Sequence, residues 1–379
     1  MNTLHIESRV LVHGRGSQVQ TADGQTLIDL ELGFGASFLG HSHPLVTASL
    51  QLQAGQLMSC GRHPTHRTAP VQTMLSALLP GNMIPAGLYS TGMEVSEFAM
   101  RVAATHTGRT KFAGFTRSMH GKSAMTAALC WRNAPIQSDL LHLLPFVDEV
   151  SEGALLDQLE SVLTSRKVAA LFVEPVQGSN SAHEASTGFY EQVIGLCRTH
   201  GTLSVFDETL TGLYRTGPAF YCNLLNVLPD VLLFAKSLGN GFPLAAIALH
   251  SEVPVQAAAL PGSTFSGNAM ALAAVEGTLG AMQALPMGDL VAAIEARVLG
   301  MRPALAGAAA TLRGRGALWC IELETADQAR RAQAATRAAG LLMSCTDRSL
   351  RLVPAATIDS AVLREACDKI VQACTAAAA

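Results

Sequence analysis

The chain has 379 residues, 49 % of them apolar, a length that suits one large domain with a smaller companion and a sizeable interior. Its formal net charge is -3 and its Lys and Arg form no run, which argues against a nucleic-acid partner because neutralising phosphates needs clustered cations. The most apolar stretches are broken by Lys236, Asn240 and Pro243, or by Glu174 and Pro175, so none is expected to span a membrane.

The opening segment MNTLHIESRVLVHGRG has no apolar core of the kind a secretion signal carries. Within the first forty residues, short alternating segments flank Asp23 and Gly24, which read as a hairpin turn. From about residue 85 to 275 short apolar runs alternate with helical patterns, the sign of strand-helix-strand units and a mainly parallel sheet. In this stretch Ala154 to Leu163 places Leu155, Leu159 and Leu163 on one helical face. Val168 to Val173 reads as a strand, and Phe189 to His200 as a helix stopped by Gly201. Further strands are expected at Leu203 to Phe206 and Val231 to Ala235. Beyond about residue 280 the chain becomes Ala-rich, with a strand at Leu318 to Leu323, a helix from Asp327 to Ala339, strands near Leu341 and Leu350, and a closing helix. The fold class is therefore α/β: a large domain over residues 46–278, and a small α+β domain assembled from both chain ends, residues 1–45 and 279–379.

Eight cysteines are scattered at Cys60, Cys130, Cys197, Cys222, Cys320, Cys345, Cys367 and Cys374, none at the two-residue spacing of a zinc knuckle or a redox pair. No metal site is expected, and packed, reduced thiols point to a soluble cytoplasmic protein.

Lys236 follows the run Val231 to Ala235, and Asp207 lies 29 positions upstream at the end of the preceding run. In open parallel sheets ligands collect at the carboxyl ends of strands, where Glu174, Asp207 and Lys236 all fall. A lone buried lysine is more often a salt-bridged structural group. Here Gly239, Gly241 and Pro243 form a tight turn directly after it, which lets the backbone pass close to a flat ligand. Burial lowers a lysine pKa toward the neutral amine that forms an imine with an aldehyde. A carboxylate opposite a pyridine nitrogen keeps that nitrogen protonated, so the ring draws electrons from an adjoining carbanion. These are the requirements of pyridoxal 5'-phosphate.

The string PDVLLFAKSLGNGFPLAA around Lys236 resembles the lysine segment of class III aminotransferases, the ornithine and omega-amino acid transaminase family of fold type I. FDETLTGLYRTG resembles the same family's cofactor-acid motif, with Tyr214, Arg215, Thr216 and Gly217 standing for GRTG. The resemblance covers roughly residues 17–355 and implies a large domain whose mainly parallel, seven-stranded type of sheet is sandwiched by helices. In YSTGMEVSEFAMRVA, Thr91, Gly92 and Met93 match the family's phosphate cup, whose usual wording is close to NSGTEAN; a helix start supplies amides and a favourable dipole for an anion. FAGFTRSMHGKS puts Met119 where the family stacks an aromatic on the ring, followed by His120; a thioether is polarisable and can pack on a ring face. FVEPVQG matches through Glu174 and Pro175. Thr209 is implied on the opposite ring face, where valine or isoleucine is usual, and Leu210 replaces the glutamine of the ornithine and acetylornithine enzymes. Thr264 in GSTFSGNAMA matches the threonine that reaches the partner's cofactor, which implies a homodimer with shared sites. Arg351 in SLRLVPAA matches the arginine that grips a substrate carboxylate through two parallel hydrogen bonds. Related enzymes shield that arginine with a glutamate after their QG; this chain has Ser179 there.

The implied activity is amino transfer, with Lys236 as imine-forming residue and proton carrier, Asp207 as its catalytic partner, and a small-molecule amino donor and carbonyl acceptor as substrates. Two alternatives stay open: an aminomutase of the glutamate-semialdehyde type, and a non-catalytic relative, suggested by Met93, Met119, Thr209 and Leu210. Substrate choice is assigned to loops near Phe34 to Phe38, Cys60 to His66 and Trp131 to Pro135.

Overall fold

The structure is a computed structural model that describes residues 10–61, 63–254 and 259–378; the reading of residues 1–9 lies outside the described residues. Strands β1 (Leu11–Arg15), β2 (Gln18–Thr21) and β3 (Thr26–Asp29) pair antiparallel in sequence, with Gly24 at φ 84° in the turn read from Asp23 and Gly24. The central region supplies β4 (Met83–Tyr89), β5 (Lys111–Phe115), β6 (Leu141–Leu144), β7 (Val168–Val173), β8 (Val176–Gln177), β9 (His183–Glu184), β10 (Leu203–Asp207), β11 (Val231–Phe234) and β12 (Ala245–His250). The last quarter adds β13 (Thr311–Arg315), β14 (Leu318–Glu322), β15 (Leu341–Leu342), β16 (Ser344–Thr346) and β17 (Ser349–Leu352).

Seven of the central strands form one sheet in the order β4-β12-β11-β10-β7-β5-β6. The pairs β11·β10, β10·β7, β7·β5 and β5·β6 are parallel, and β12 runs antiparallel to both of its neighbours. A strand covered on both faces reads as an unbroken apolar run, and VAALFV of β7 is buried at every position. Burying each large side chain there contributes roughly 1.5–3 kcal/mol. The covering helices have clear punctuation. Ser151 caps helix Glu152–Thr164 through the Ala154 N–H, and its Leu155, Leu159 and Leu163 are buried. Ser186 caps helix Thr187–His200 through the Phe189 N–H, and Gly201 ends it at φ 63°.

β13, β14, β17 and β16 make an antiparallel sheet, while β15 pairs parallel with β3. Both chain ends thus share a sheet. Arg351 stands on β17, an interior strand, between Cys320 of β14 and Ser344 of β16.

Registers in the large sheet bring one set of ends together. Val173 of β7 pairs with Phe206, and Asp207 of β10 with Leu233. Glu174, Asp207 and Lys236 therefore lie at or just past the carboxyl ends of three adjacent parallel strands. β4 runs the same way as β11, because each is antiparallel to β12. Its exit at Tyr89 delivers helix Gly92–Thr107 to that edge, start first.

Candidate active site

Lys236 opens a short 3-10 turn (Lys236–Leu238) at φ 40°, a left-handed conformation that a side chain other than glycine adopts under constraint. Its amine makes no hydrogen bond or ion pair among the described residues. Burial pushes its pKa down to about 8, against the charges of Glu174 and Asp207 and with those of Arg351 and Arg215. Asp207 is 3 % exposed. Burial by itself would raise its pKa, but His120 Nδ1–H donates to Oδ2 at 2.8 Å and the Thr209 N–H donates to Oδ1 at 3.1 Å. Together with the His120 charge these interactions hold the carboxyl below its ordinary value. The amine's pKa is thus lowered toward neutral pH while the Asp207 carboxyl stays ionised.

His120 is itself fixed from behind. Its N–H donates to Cys130 Sγ at 3.2 Å, its ring lies 5.5 Å from the Phe172 ring, and its Nε2 is buried without a partner. Glu174 ties the neighbouring loops together, since Oε2 accepts the Met119 N–H at 3.0 Å and Oε1 the Gly178 N–H at 3.2 Å. Burial and the charge of Asp207 push Glu174 up to about 7, opposed by His120 and Lys236.

At the helix start, Thr91 Oγ1 accepts the Glu94 N–H at 3.1 Å, while the Gly92 and Met93 amides are at positions with no intrahelical partner. A Cβ on Gly92 would stand 3.3 Å from Thr209 Cγ2, so glycine lets the helix start approach the Asp207 loop. Met93 leans on Gly121, where a Cβ would lie 2.8 Å from Met93 Cγ. Leu210 is buried in the core and fills a slot between two glycines: a Cβ on Gly178 or Gly35 would fall 2.2 Å or 2.8 Å from its methyl carbons.

Two predicted residues come from elsewhere. Thr264 is exposed on the loop 262–267, which Ser263 N–H to Ser266 Oγ (2.6 Å) and Gly267 N–H to Leu88 O (3.0 Å) hold in shape. Among the described residues it makes no hydrogen bond with the Lys236 segment. Arg351 reaches the Lys236 cleft through its field, from the small antiparallel sheet.

Arg215 was legible only as a letter in a motif. It is fully buried, donates to Gly35 O (2.9 Å), Pro354 O (2.9 Å) and Ala317 O (3.3 Å), and lies 3.8 Å over the Phe38 ring. Burial lowers it to about 9. No sequence pattern signals partners that are backbone carbonyls more than a hundred positions away.

This donor set fits pyridoxal 5'-phosphate: an amine near neutrality for an aldehyde, an ionised acid for a pyridine nitrogen, and free helix amides for a phosphate. Comparison with known proteins gives the same reading. The chain is 34 % identical over 283 residues to a LysW-aminoadipate semialdehyde transaminase of Deinococcus radiodurans, covering 72 % of this chain and 64 % of that relative. It is 32 % identical to a 2-aminoadipate transaminase of Pseudomonas putida over 97 % of this chain and 95 % of the relative. The solved ornithine aminotransferase of Toxoplasma gondii superimposes with a TM-score of 0.88 at 26 % identity, covering 99 % of this chain and 92 % of that one. With residues 2–374 also matching the family model Aminotransferase class-III, the chain belongs to the class-III aminotransferase family.

Proposed function

We propose that this chain is a pyridoxal-phosphate-dependent aminotransferase that carries an amino group from an amino acid or amine donor to an aldehyde or keto acceptor. The observation that carries the reading is the Lys236–Asp207 arrangement: an amine lowered to about 8 faces a carboxylate that His120 keeps ionised, at the ends of adjoining strands. Bound there, the cofactor supplies an aldehyde and an electron-withdrawing ring.

With the cofactor bound, Lys236 would hold it through its amine and, once freed by an incoming amine, would carry the proton between the donor's α carbon and the adjoining position. Asp207, oriented by His120, would serve the ring nitrogen. Met119 and Thr209 would lie on the two ring faces, with Leu210 next to Thr209. The amides of Gly92 and Met93, with Thr91, receive the phosphate, joined by the partner subunit's Thr264. Arg351 takes a substrate carboxylate, a group present in aminoadipate and in acetylornithine, for which relatives at 32 % and 33 % identity are named. Those relatives are named as transferases between molecules, which favours amino transfer over an intramolecular shift.

Residues 46–278 form the cofactor domain in this reading, with 1–45 and 279–379 as the smaller one. Eight unpaired thiols support a cytoplasmic setting, and among the described residues no helix is long and apolar enough to cross a membrane.

The test is a donor screen. Protein loaded with the cofactor should lose its visible band on mixing with an effective amino donor and release the matching keto compound. Lys236→Ala should lower turnover by roughly 10³-fold or more. Turnover of that variant at the unmodified protein's rate would overturn the assignment.

A further inference from the structure

A second concavity opens at the carboxyl ends of the large sheet, away from Lys236. Arg117 follows β5 and Asp148 follows β6, the third and fourth strands counted from β11. At about 4.8 Å per strand they stand roughly 14–19 Å to one side of the strand that delivers the lysine. The small antiparallel sheet contributes Arg313 of β13, Glu322 of β14 and Arg348, immediately before β17. These five side chains line one cavity of about 550 Å³, a size that suits a small molecule. Neither Lys236, Asp207 nor Arg351 is part of its wall.

The wall is held in shape. Ser181 Oγ meets Ser349 Oγ at 2.5 Å, Asn180 Nδ2–H donates to Gln177 Oε1 at 2.9 Å, and the Arg117 N–H donates to Cys130 O at 2.8 Å. Three residues of the lining, Arg117, Ser181 and Asp347, have φ of 63°, 50° and 52°. Left-handed backbone in residues other than glycine persists where its surroundings over-determine it, and it collects at ligand clamps.

The charges are matched, with one exception. Arg117 Nη1 lies 2.7 Å from Asp148 Oδ2, Arg348 Nη2 lies 2.8 Å from Glu322 Oε1, and Arg313 pairs with the other Glu322 oxygen. With Asp347 the lining carries three guanidinium groups and three carboxylates, a sum of zero. The Asp148 side chain is only 8 % exposed, and its Oδ1 is buried without a partner among the described residues. Burial holds the His183 imidazole below its ordinary pKa, and the charges of Asp148, Arg313, Glu322 and Arg117 all bear on that same ring, so the groups converge on one space.

A wall that balances to zero favours neither a bare anion nor a bare cation. The guanidinium groups keep N–H donors beyond those spent on Asp148, Asn180, Glu322 and the Glu324 carbonyl, and spare guanidinium donors suit a carboxylate. A buried carboxylate oxygen without a donor is costly, and an ammonium removes that cost. The terminal torsion of an aspartate is soft, so the oxygen that meets Arg117 and the one that meets a ligand can exchange. We propose that this cavity binds a free α-amino acid, its carboxylate taken by Arg313 and Arg348 and its ammonium by Asp148, at a site separate from the reaction centre. Gln177 Nε2–H donates to Thr116 O at 3.1 Å and to Ser118 Oγ at 2.9 Å, so an occupant bears on the segment that leads to Met119 and His120.

The experiment titrates cofactor-loaded protein by calorimetry with N,N-dimethylglycine, a zwitterion whose tertiary amine cannot form an imine. Its two isosteres, 3-methylbutanoate and N,N-dimethylglycinamide, carry only the negative or only the positive charge. The zwitterion should bind one per chain and at least tenfold more tightly than either isostere. Asp148→Asn and Arg348→Gln, on opposite sides of the cavity, should each weaken it by roughly tenfold or more, the worth of a hydrogen bond between charged groups, while keeping the visible band of bound cofactor. Arg351→Gln should leave it unchanged. Absence of saturable binding, equal binding of 3-methylbutanoate, or binding that survives both cavity variants would overturn the proposal. Loss of binding in Arg351→Gln alone would put the zwitterion at the reaction centre and overturn it as well. A failure of the amino-transfer reading shows in the donor screen and leaves this titration untouched.

Discussion

Lys236 occupies a position that function needs and stability resists. Its folded pKa of about 8 lies below the ordinary 10.5, so between these values the unfolded chain holds a proton that the folded chain has released. Folding stability therefore rises with pH across that window, and below pH 8 the whole desolvation cost is present. Asp207 shows the opposite balance: its folded pKa is lowered, so its contribution is present above its ordinary 3.8 and is lost as pH falls below it. Replacing the lysine by an apolar side chain of similar length should remove the cost while removing the chemistry. Without cofactor, Lys236→Met should gain about 1–2 kcal/mol at pH 7 after allowance for partial exposure, a rise of roughly 2 °C in melting temperature. The gain should shrink as the pH approaches 10.5. Thermal melts at pH 7 and pH 10 check this, and a gain that grew with pH would contradict the assigned burial.

Elements whose signals are local were read directly from the letters. β7 coincides with the predicted Val168 to Val173, and helix Thr187–His200 ends at the predicted Gly201, because an unbroken apolar run and a left-handed glycine each act within a few residues. β10 extends one residue further than expected and takes in Asp207, which places the acid on the strand itself. The order of the sheet was not legible, since it depends on pairings between distant segments. The direction of β12 follows from chain length: Ala235 to Leu244 is too short for the crossover of a dozen or more residues that a parallel return needs. Arg215 escaped for another reason, because its partners lie toward opposite ends of the chain. Glu174 was legible as a strand-end residue in a family motif, and its geometry gives it a loop-holding role that can be tested. Each of its oxygens accepts one backbone N–H, from Met119 and from Gly178. Glu174→Gln keeps the shape but turns one acceptor into a donor facing a donor, at a cost of about 1–3 kcal/mol. Above pH 7, where the carboxyl is ionised, this variant should unfold at lower urea and bind the cofactor several-fold more weakly as the Met119 loop loosens. Unchanged denaturation and cofactor titrations would show that the bridge does not hold the loops.

At the scale of the whole molecule, one face of a single chain is left unfinished. β4 is an edge strand of the seven-stranded sheet, and Ile84 upon it is 53 % exposed. Leu52, Leu57, Met58 and Phe265 are 59 %, 46 %, 63 % and 58 % exposed, and Gly61, His63, Pro64, Gly262, Ser263 and Gly267 nearby line one surface cavity. Single exposed apolar side chains are ordinary, whereas several on neighbouring loops are the kind of surface the proposed dimer would bury. A second copy of the chain would cover it and would carry the exposed Thr264 away from its own Lys236 toward the partner's. A permanent dimer of this kind buries on the order of 2,000 Å² or more, with apolar side chains at its centre. Introducing charge there should be decisive: Met58→Glu combined with Phe265→Asp should shift sedimentation from dimer to monomer and weaken cofactor binding, because each site loses the residue supplied in trans. Thr264→Ala should leave the proposed dimer intact and weaken cofactor binding by roughly 1.5–3 kcal/mol, the worth of one hydrogen bond to a charged group. A charged double variant that stayed dimeric, or a monomer that held the cofactor as firmly as the unmodified protein, would place the contact between subunits on some other face.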